Sequence, residues 1–293
     1  MNFQQLEYLV ALDKHRHFVK AADACSVTQP TLSMAIKALE EELQLTIVQR
    51  GVQPLHFTAE GNIILQQAKE ILAQQRCMLE ISEEISTGLK GKIRLSAIPT
   101  IAPYALPRFL SEFQKEVHQL ELTVKELPTR IALQQLKEGE IDFAILATDV
   151  DTELFQSTPL YAENLYAYLS PNQSWPKNKW IQPSKIQHEA IWLLSEEHCF
   201  REQALEICSL RGSRKKKYQF DAGSLEGIIR MIDLGEGLTI LPEMACTALS
   251  TKQKKNLREF APPSPARTIR LVYLKNYPRL KVIAFLSDLL RRR

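Results

Sequence analysis

Residues 18–43 read Phe18-Val19-Lys20-Ala21-Ala22-Asp23-Ala24-Cys25-Ser26-Val27-Thr28-Gln29-Pro30-Thr31-Leu32-Ser33-Met34-Ala35-Ile36-Lys37-Ala38-Leu39-Glu40-Glu41-Glu42-Leu43. A short helix from Phe18 to Ala24 is predicted, with Ala21 and Ala22 small enough for close packing. Cys25-Ser26-Val27 makes a turn. Thr28 caps a further helix, and Pro30 falls in its first turn, where a missing N–H is harmless. On a helical wheel Leu32, Ile36, Leu39 and Leu43 form one stripe that must be buried. Pro30, Ser33, Met34 and Lys37 lie opposite, with Gln29 and Thr31 at the N-terminal end. A short helix that buries one stripe and presents small polar, amide and cationic groups from its first half suits a DNA major groove.

Outward from that stretch, Leu6, Leu9, Val10 and Leu12 lie at helical spacing. Ile47-Val48, Arg50, Pro54 and Leu55-His56-Phe57 read as a β-wing. Thr58 caps a helix of roughly Ala59 to Thr87, on the order of 45 Å long. Along it Ile64, Ala68, Ile71, Met78 and Ile85 recur at helical steps, with Gln75 and Ser82 as polar interruptions. A helix that long and that one-sided pairs with a copy of itself. Gly88 to Gly91 breaks the pattern. From Lys92 strands alternate with helices: Ile93–Ile98, Leu120–Glu126, Ile141–Ala147, Leu165–Ser170, Ala190–Leu194, Tyr218–Asp221, Leu238–Leu241 and Thr268–Leu274 read as strands, and Arg279 to Arg292 as the last helix. That alternation implies a parallel or mixed α/β sheet with helices on both faces. The expected organisation is a helix-turn-helix head at 1–58, a long linker helix at 59–88 and an α/β domain at 89–293. The last divides into one lobe of 89–163 with 268–293 and another of 164–267, separated by a cleft.

The chain has 293 residues, 45% hydrophobic and 24% charged, with a net charge of +3. These values fit a globular protein with a full core. No apolar run approaches the ~18 residues of a membrane span, and the N-terminus has neither the basic region nor the apolar core of a signal peptide. A cytoplasmic location is expected. The predicted head carries Lys14, Arg16, Lys20, Lys37 and Arg50 against Glu7, Asp13, Asp23, Glu40, Glu41 and Glu42, a net charge of −1. Charge alone would not nominate it for DNA. Five scattered cysteines (Cys25, Cys77, Cys199, Cys208 and Cys246) do not form a disulfide scaffold. No spacing suggests zinc or another metal site, and no cofactor is expected.

Residues 18–61 carry Phe18-x-x-Ala21-Ala22, Thr28-Gln29-Pro30-Thr31-Leu32-Ser33, Ile36-Lys37-x-Leu39-Glu40-x-x-Leu43, Arg50 and Phe57-Thr58-x-x-Gly61. This long signature resembles the LysR-type transcriptional regulators. The resemblance extends over the whole chain and implies a winged helix-turn-helix, a long linker helix and a two-lobed α/β sensor built like a periplasmic binding protein. It further implies a homodimer through the linker helices, usually assembled to a homotetramer on operator DNA, with RNA polymerase a possible partner. DNA contacts would come from Gln29, Pro30, Thr31, Ser33, Lys37 and Arg50. The chain departs from the family at Ala35, Gln44 and Ile47-Val48, where Gln, Gly and Leu-Phe are common.

Within that family, Leu6-Glu7-Tyr8-Leu9-Val10-Ala11-Leu12, Ile98-Pro99-Thr100-x-x-Pro103-Tyr104-x-Leu106-Pro107 and His198-Cys199-Phe200-Arg201-Glu202-Gln203-Ala204 followed by Cys208 are similar to the branch that senses hydrogen peroxide. The resemblance implies that Thr100, Thr129, His198 and Arg267 surround peroxide, that Cys199 is oxidised, and that Cys208 resolves it as a disulfide. Glu197 stands where that branch commonly has Gly. If residues 200–211 are helical, Cys199 and Cys208 lie on opposite sides of the axis and roughly 13 Å apart along it. A disulfide needs Cα atoms about 4.4–6.8 Å apart, so the two can bond only if the helix unravels. At a helix start Cys199 gains from the dipole, with His198 and Arg201 as further donors. Thr100 and Thr129 are expected as helix caps at anion-favouring positions. Two other readings remain at this level: a LysR-type regulator answering a metabolite in the inter-lobe cleft, with structural cysteines, and a thiol peroxidase. The head weighs against an enzyme.

Overall fold

The computed structural model describes residues 1–49, 54–87, 89–172, 180–186, 191–208, 222–235 and 237–292, and only the backbone at 80, 83–87, 184 and 185. The chain divides into two compact units, Met1–Gly88 with Lys137–Glu140, and Leu89–Leu136 with Ile141–Arg293.

In the first unit α1 (Phe3–His15), α2 (Phe18–Ala24), α3 (Gln29–Leu43), β1 (Val48–Gln49), β2 (His56–Phe57) and α4 (Ala59–Thr87) follow in order. Leu9, Leu12, Ala21, Leu32, Ile36, Leu39 and Ile47 are fully buried together. The stripe on α3 therefore faces the core as its spacing requires. β1 and β2 pair antiparallel, Val48 opposite Phe57, and make the wing. Three signature residues gain physical reasons here. Glu40 Oε1 accepts hydrogen bonds from the Ile47 and Val48 amides at 2.8 and 3.0 Å, which fixes where the wing leaves α3. Thr58 Oγ1 accepts from the Gly61 amide at 2.8 Å and donates to Thr46 O at 2.7 Å. At Gly61 the backbone of Ile47 passes so close that a Cβ would lie 2.1 Å from its carbonyl oxygen. Along α4, Leu65 and Ala68 belong to this core, whereas Ile63, Ile71, Met78 and Leu79 are exposed on the single chain. Ala68 thus faces the head rather than the outward stripe to which its spacing assigns it, and the side chain of Ile85 lies outside the described residues.

The second unit contains β3 (Gly91–Ala97), α5 (Ala102–Glu116), β4 (Leu120–Glu126), α6 (Thr129–Lys137), β5 (Phe143–Leu146), β6 (Phe155–Leu169), β7 (Trp180–Ile181), α7 (Pro183–Ile186), α8 (Cys199–Ile207), α9 (Leu225–Leu234), β8 (Leu238–Pro242), α10 (Glu243–Thr247), α11 (Thr251–Lys254), β9 (Leu257–Phe260), β10 (Ala266–Leu274) and α12 (Leu280–Arg291). The strand order is β4-β3-β5-β10-β6-β9-β7, with β8 also pairing β6. β3 runs parallel to β4 and β5, while β10 and β6 are antiparallel to each other, so the sheet is mixed.

Two buried clusters lie along this sheet. One gathers Ile93, Leu95, Phe109, Phe143, Leu271 and Leu286; the other gathers Leu169, Phe200, Cys208, Ile228, Ile240 and Phe260. β6 passes from the first at Phe155 and Leu160 into the second at Leu165. Several elements differ from the sequence expectation. β6 begins at Phe155 rather than Leu165, because exposed Pro159 and a register shift against β10 at Ile269/Arg270 interrupt its alternation. β7 and β9 are short, partly exposed strands with no apolar run to announce them. Ile191 and Leu194 make isolated bridges instead of a strand, Ala190 and the predicted strand Tyr218–Asp221 lie outside the described residues, and Ala222 supplies the bridge to Leu194.

A candidate DNA-reading face and a candidate thiol site

On α3, Thr28 caps the helix through its side chain, and its hydroxyl lies 2.8 Å from that of Thr31. Gln29, Pro30, Thr31, Met34 and Lys37 are exposed on one side, and Ser33 is half-buried between them. These positions share a face because the opposite stripe is buried. Lys37 Nζ sits 3.5 Å from Glu41, an exposed i,i+4 pair of the kind worth well under 1 kcal/mol, so the cation remains available to another partner. Arg50 lies outside the described residues. Arg16 lies over the Phe57 ring at 5.2 Å and accepts at its carbonyl from the Leu55 amide, holding the second wing strand to the end of α1.

The sequence-predicted thiol residues come together in the second unit. Cys199 is the first residue of α8, and His198 is its N-cap, with no side-chain capping bond. His198 is buried. Burial pushes the Cys199 thiol above the ordinary thiol range. The Thr129 hydroxyl, the Arg267 guanidinium and the backbone amide at the helix start pull it down, Glu202 pushes it up, and burial outweighs the rest. The helix-start effect expected at this position is present but is not the largest contribution. Thr129 Oγ1 is buried and makes no hydrogen bond of ordinary geometry. Its contact with the thiol is therefore loose, though close enough to favour thiolate.

Arg267, on β10, organises the other side. Its Nε donates to Glu163 Oε2 at 2.8 Å, and its terminal nitrogens donate to Thr100 Oγ1 at 3.0 Å and Thr100 O at 3.3 Å. Both members of the Arg267–Glu163 ion pair are almost wholly buried. The guanidinium also lies 5.0 Å from the centroid of the Phe200 ring, next in sequence to Cys199. Glu163 in turn accepts from the Met244 amide at 2.8 Å. Thr100 and Thr129 do not act as helix caps. α5 starts two residues beyond Thr100, whose hydroxyl serves Arg267, and the Thr129 hydroxyl is left free of ordinary bonds.

Cys208 is the C-cap of α8. It is fully buried in the second cluster, and burial alone pushes its thiol up to about 12. Cys199 instead packs against the first cluster. Both cysteines are free, and the intact helix between them places them roughly 13 Å apart along its axis. Gln203, one turn beyond Cys199, donates to the Ala147 carbonyl at 2.6 Å. Beside these groups lies a cavity of about 510 Å³ with Cys199, Glu202, Gln203, Arg267 and the Asp149–Arg270 ion pair on its wall. Sequence reasoning missed Glu163 and Gln203. A carboxylate within the run Leu160-Tyr161-Ala162-Glu163-Asn164-Leu165 was the available signal, since a charge inside a buried strand demands a partner. Among the described residues no group of three or more His, Cys, Asp or Glu is placed to hold a metal, and no helix is long and apolar enough to cross a membrane.

Residues 3–62 match the bacterial regulatory helix-turn-helix protein, lysR family, and residues 86–293 match the LysR substrate binding domain. The chain is 33% identical over 278 residues to a hydrogen peroxide-inducible genes activator of Haemophilus influenzae, covering 95% of this chain and 92% of that one. It is 33% identical over 296 residues to the DNA-binding transcriptional dual regulator OxyR of Escherichia coli, covering 100% and 96%. Among solved structures, a full-length cysteine-to-aspartate variant of OxyR from Pseudomonas aeruginosa superposes with a TM-score of 0.80 at 30% identity, over 100% of this chain and 98% of that one. An H2O2-bound cysteine-to-serine variant of OxyR from Corynebacterium glutamicum gives 0.65 at 25% identity, over 99% and 92%.

Proposed function

The chain belongs to the LysR family of bacterial helix-turn-helix regulators, and from that premise we propose that it is a DNA-binding transcription regulator that senses hydrogen peroxide through Cys199. The observation that carries the reading is the meeting of Cys199, Thr129 and the Arg267–Thr100 pair at the start of one helix whose far end holds Cys208 in a different core. Hydrogen peroxide sits against Thr100, Thr129, His198 and Arg267. The Cys199 thiolate attacks one peroxide oxygen, the O–O bond breaks, and the electron pair leaves with hydroxide, giving the sulfenic acid. Arg267 and the hydroxyls donate to the oxygen on which charge develops. Cys208, once released from its core and deprotonated, attacks the sulfenic sulfur and expels hydroxide, leaving a disulfide. Closing that bond requires α8 to come apart, which couples chemistry to conformation.

The head (1–58) delivers the output. Gln29, Pro30, Thr31, Ser33, Lys37 and Arg50 contact operator DNA, the linker helix (59–88) pairs two copies, and the sensor (89–163 with 268–293, and 164–267) sets how the heads are spaced. Homodimers assembling to tetramers, a cytoplasmic location, contact with RNA polymerase and the absence of enzymatic turnover complete the reading. The exposed Ile71, Met78 and Leu79 of α4 support the pairing. Non-reducing mass spectrometry of peptides after mild peroxide tests it: a Cys199–Cys208 crosslink, reversed by thiol, is expected, and operator binding should respond in the native chain but not in Cys199→Ser. Switching that persists in Cys199→Ser would overturn it. The cavity of about 510 Å³, far larger than peroxide, favours a second reading in which a metabolite binds beside Cys199; peroxide-independent switching would mark that case.

A further inference from the structure

We propose that Glu163 is a positioning residue for the thiol site: its carboxylate fixes Arg267 against Thr100 and offsets the guanidinium charge that would otherwise fall on Cys199. The inference deepens the thiol-switch reading and rests on it for its biological meaning. Three observations carry it. Glu163 is 1% exposed and Arg267 5%, so neither charge is screened by water. Glu163 Oε2 is met at 2.8 Å by both Nε and one terminal nitrogen of Arg267, so the carboxylate grips one edge of the guanidinium while the terminal nitrogens also reach the Thr100 hydroxyl and carbonyl. The second carboxylate oxygen is itself held by the Met244 amide at the start of α10. The carboxylate is therefore clamped from two elements and cannot follow Arg267 if the latter turns.

The electrostatic consequence is specific. A cation beside a thiol favours thiolate, but a buried cation paired to a buried anion presents a dipole, whose effect is weaker than that of a bare charge. Cys199 faces Thr129 from α6, Arg267 from β10 and Glu202 from its own helix. His198 precedes it, and Asp149, Arg270 and Glu206 share its cavity. Tyr104 and Cys246 stand near Glu163, both held towards their neutral forms by burial and by that carboxylate. With these groups neutral, the nearest anion opposing Arg267 is Glu163 itself. Burial raises the Cys199 thiol, and the pairing with Glu163 limits how far Arg267 can pull it back down.

The test reads Cys199 without using peroxide. The rate of carbamidomethylation by iodoacetamide, in which the thiolate displaces iodide, is followed for the Cys199 peptide by mass spectrometry across pH. In Glu163→Gln, which keeps an acceptor for Arg267 but removes the charge, the midpoint should move down, because an anion is lost while the guanidinium stays. A midpoint that stays or rises in folded Glu163→Gln overturns the proposal. If that variant does not fold, Arg267→Gln and the double variant Glu163→Gln/Arg267→Gln read the same charge. The midpoint must then be higher in Arg267→Gln, and equality of the two refutes the role. A native chain whose Cys199 alkylates as described but forms no crosslink with peroxide would sink the sensing reading while leaving this one intact.

Discussion

Replacing Arg267 by Met keeps an unbranched apolar stem and removes the guanidinium with its charge. Glu163, 1% exposed, then loses its 2.8 Å partner while the Met244 amide continues to hold it in place. Thr100 loses a donor to its hydroxyl and another to its carbonyl. Breaking a buried ion pair from one side costs about 3–5 kcal/mol, because the remaining charge is stranded. For a unit of this size that corresponds to a fall in unfolding temperature of roughly 10 °C. Removing the second charge should restore much of the loss, since a neutral pair of similar volume is often no worse than the ion pair it replaces. Thermal unfolding followed by tryptophan fluorescence provides the assay, with Trp192 buried in the second cluster as one reporter. The expected order of stability is native, then Arg267→Met/Glu163→Gln, then Arg267→Met. A single variant within about 1 kcal/mol of native, or a double variant no better than the single, would refute the claim that Glu163 is stranded.

Other outcomes follow from the same geometry. The raised Cys199 thiol means that thiolate grows with pH throughout the neutral range, so the rate of peroxide oxidation should climb about tenfold per pH unit from 6 to 8, and a plateau inside that interval would contradict it. Thr129→Val removes a hydroxyl that makes no ordinary hydrogen bond, so stability should change by under about 1 kcal/mol while Cys199 alkylation slows; urea titration and alkylation kinetics together check this. Gly61→Ala drives a methyl into the Ile47 carbonyl and should cost the head about 1–3 kcal/mol, whereas Gly223→Ala, with nothing within 4 Å, should not; a shared urea midpoint would refute the contrast. Lys37→Ala should weaken operator binding and reduce the salt slope by about 1, measured by titration at several salt concentrations.

The head was legible because each of its decisions is local. Thr28, Pro30 and the stripe from Leu32 to Leu43 act within one or two helical turns, and the wing needs only one short pairing. The reasons behind the signature were not legible. Nothing in the string says that Glu40 ties two wing amides or that Gly61 lies against Ile47, because these contacts depend on how α3 and α4 cross. In the sensor, strands with continuous apolar runs were readable and strands broken by Pro159 or built from two to four half-exposed residues were not. A helix between Cys199 and Cys208 entered the reading as a condition, and the structure gives it as α8 with Cys208 at its C-cap. Their assignment to different cores, the dominance of burial over the helix dipole at Cys199, and the Glu163–Arg267–Thr100 chain, whose bonds span 104 and 167 residues, required partners distant in sequence to be brought together.

The burial of Cys208 has a consequence for the reduction potential of the proposed disulfide. The reduced state keeps Cys208, Phe200 and Ala204 packed in an intact core, and the crosslinked state must give that packing up. Each 1.4 kcal/mol of packing lost on oxidation makes the couple more oxidising by about 30 mV. Apolar side chains with no chemistry of their own, such as Ile228 and Ile240 in the same buried cluster as Cys208, thereby help fix the peroxide level at which the proposed switch is thrown and the ease with which cellular thiols reset it. Trimming one of them should lower the potential, stabilise the oxidised form and lengthen the response without touching either sulfur.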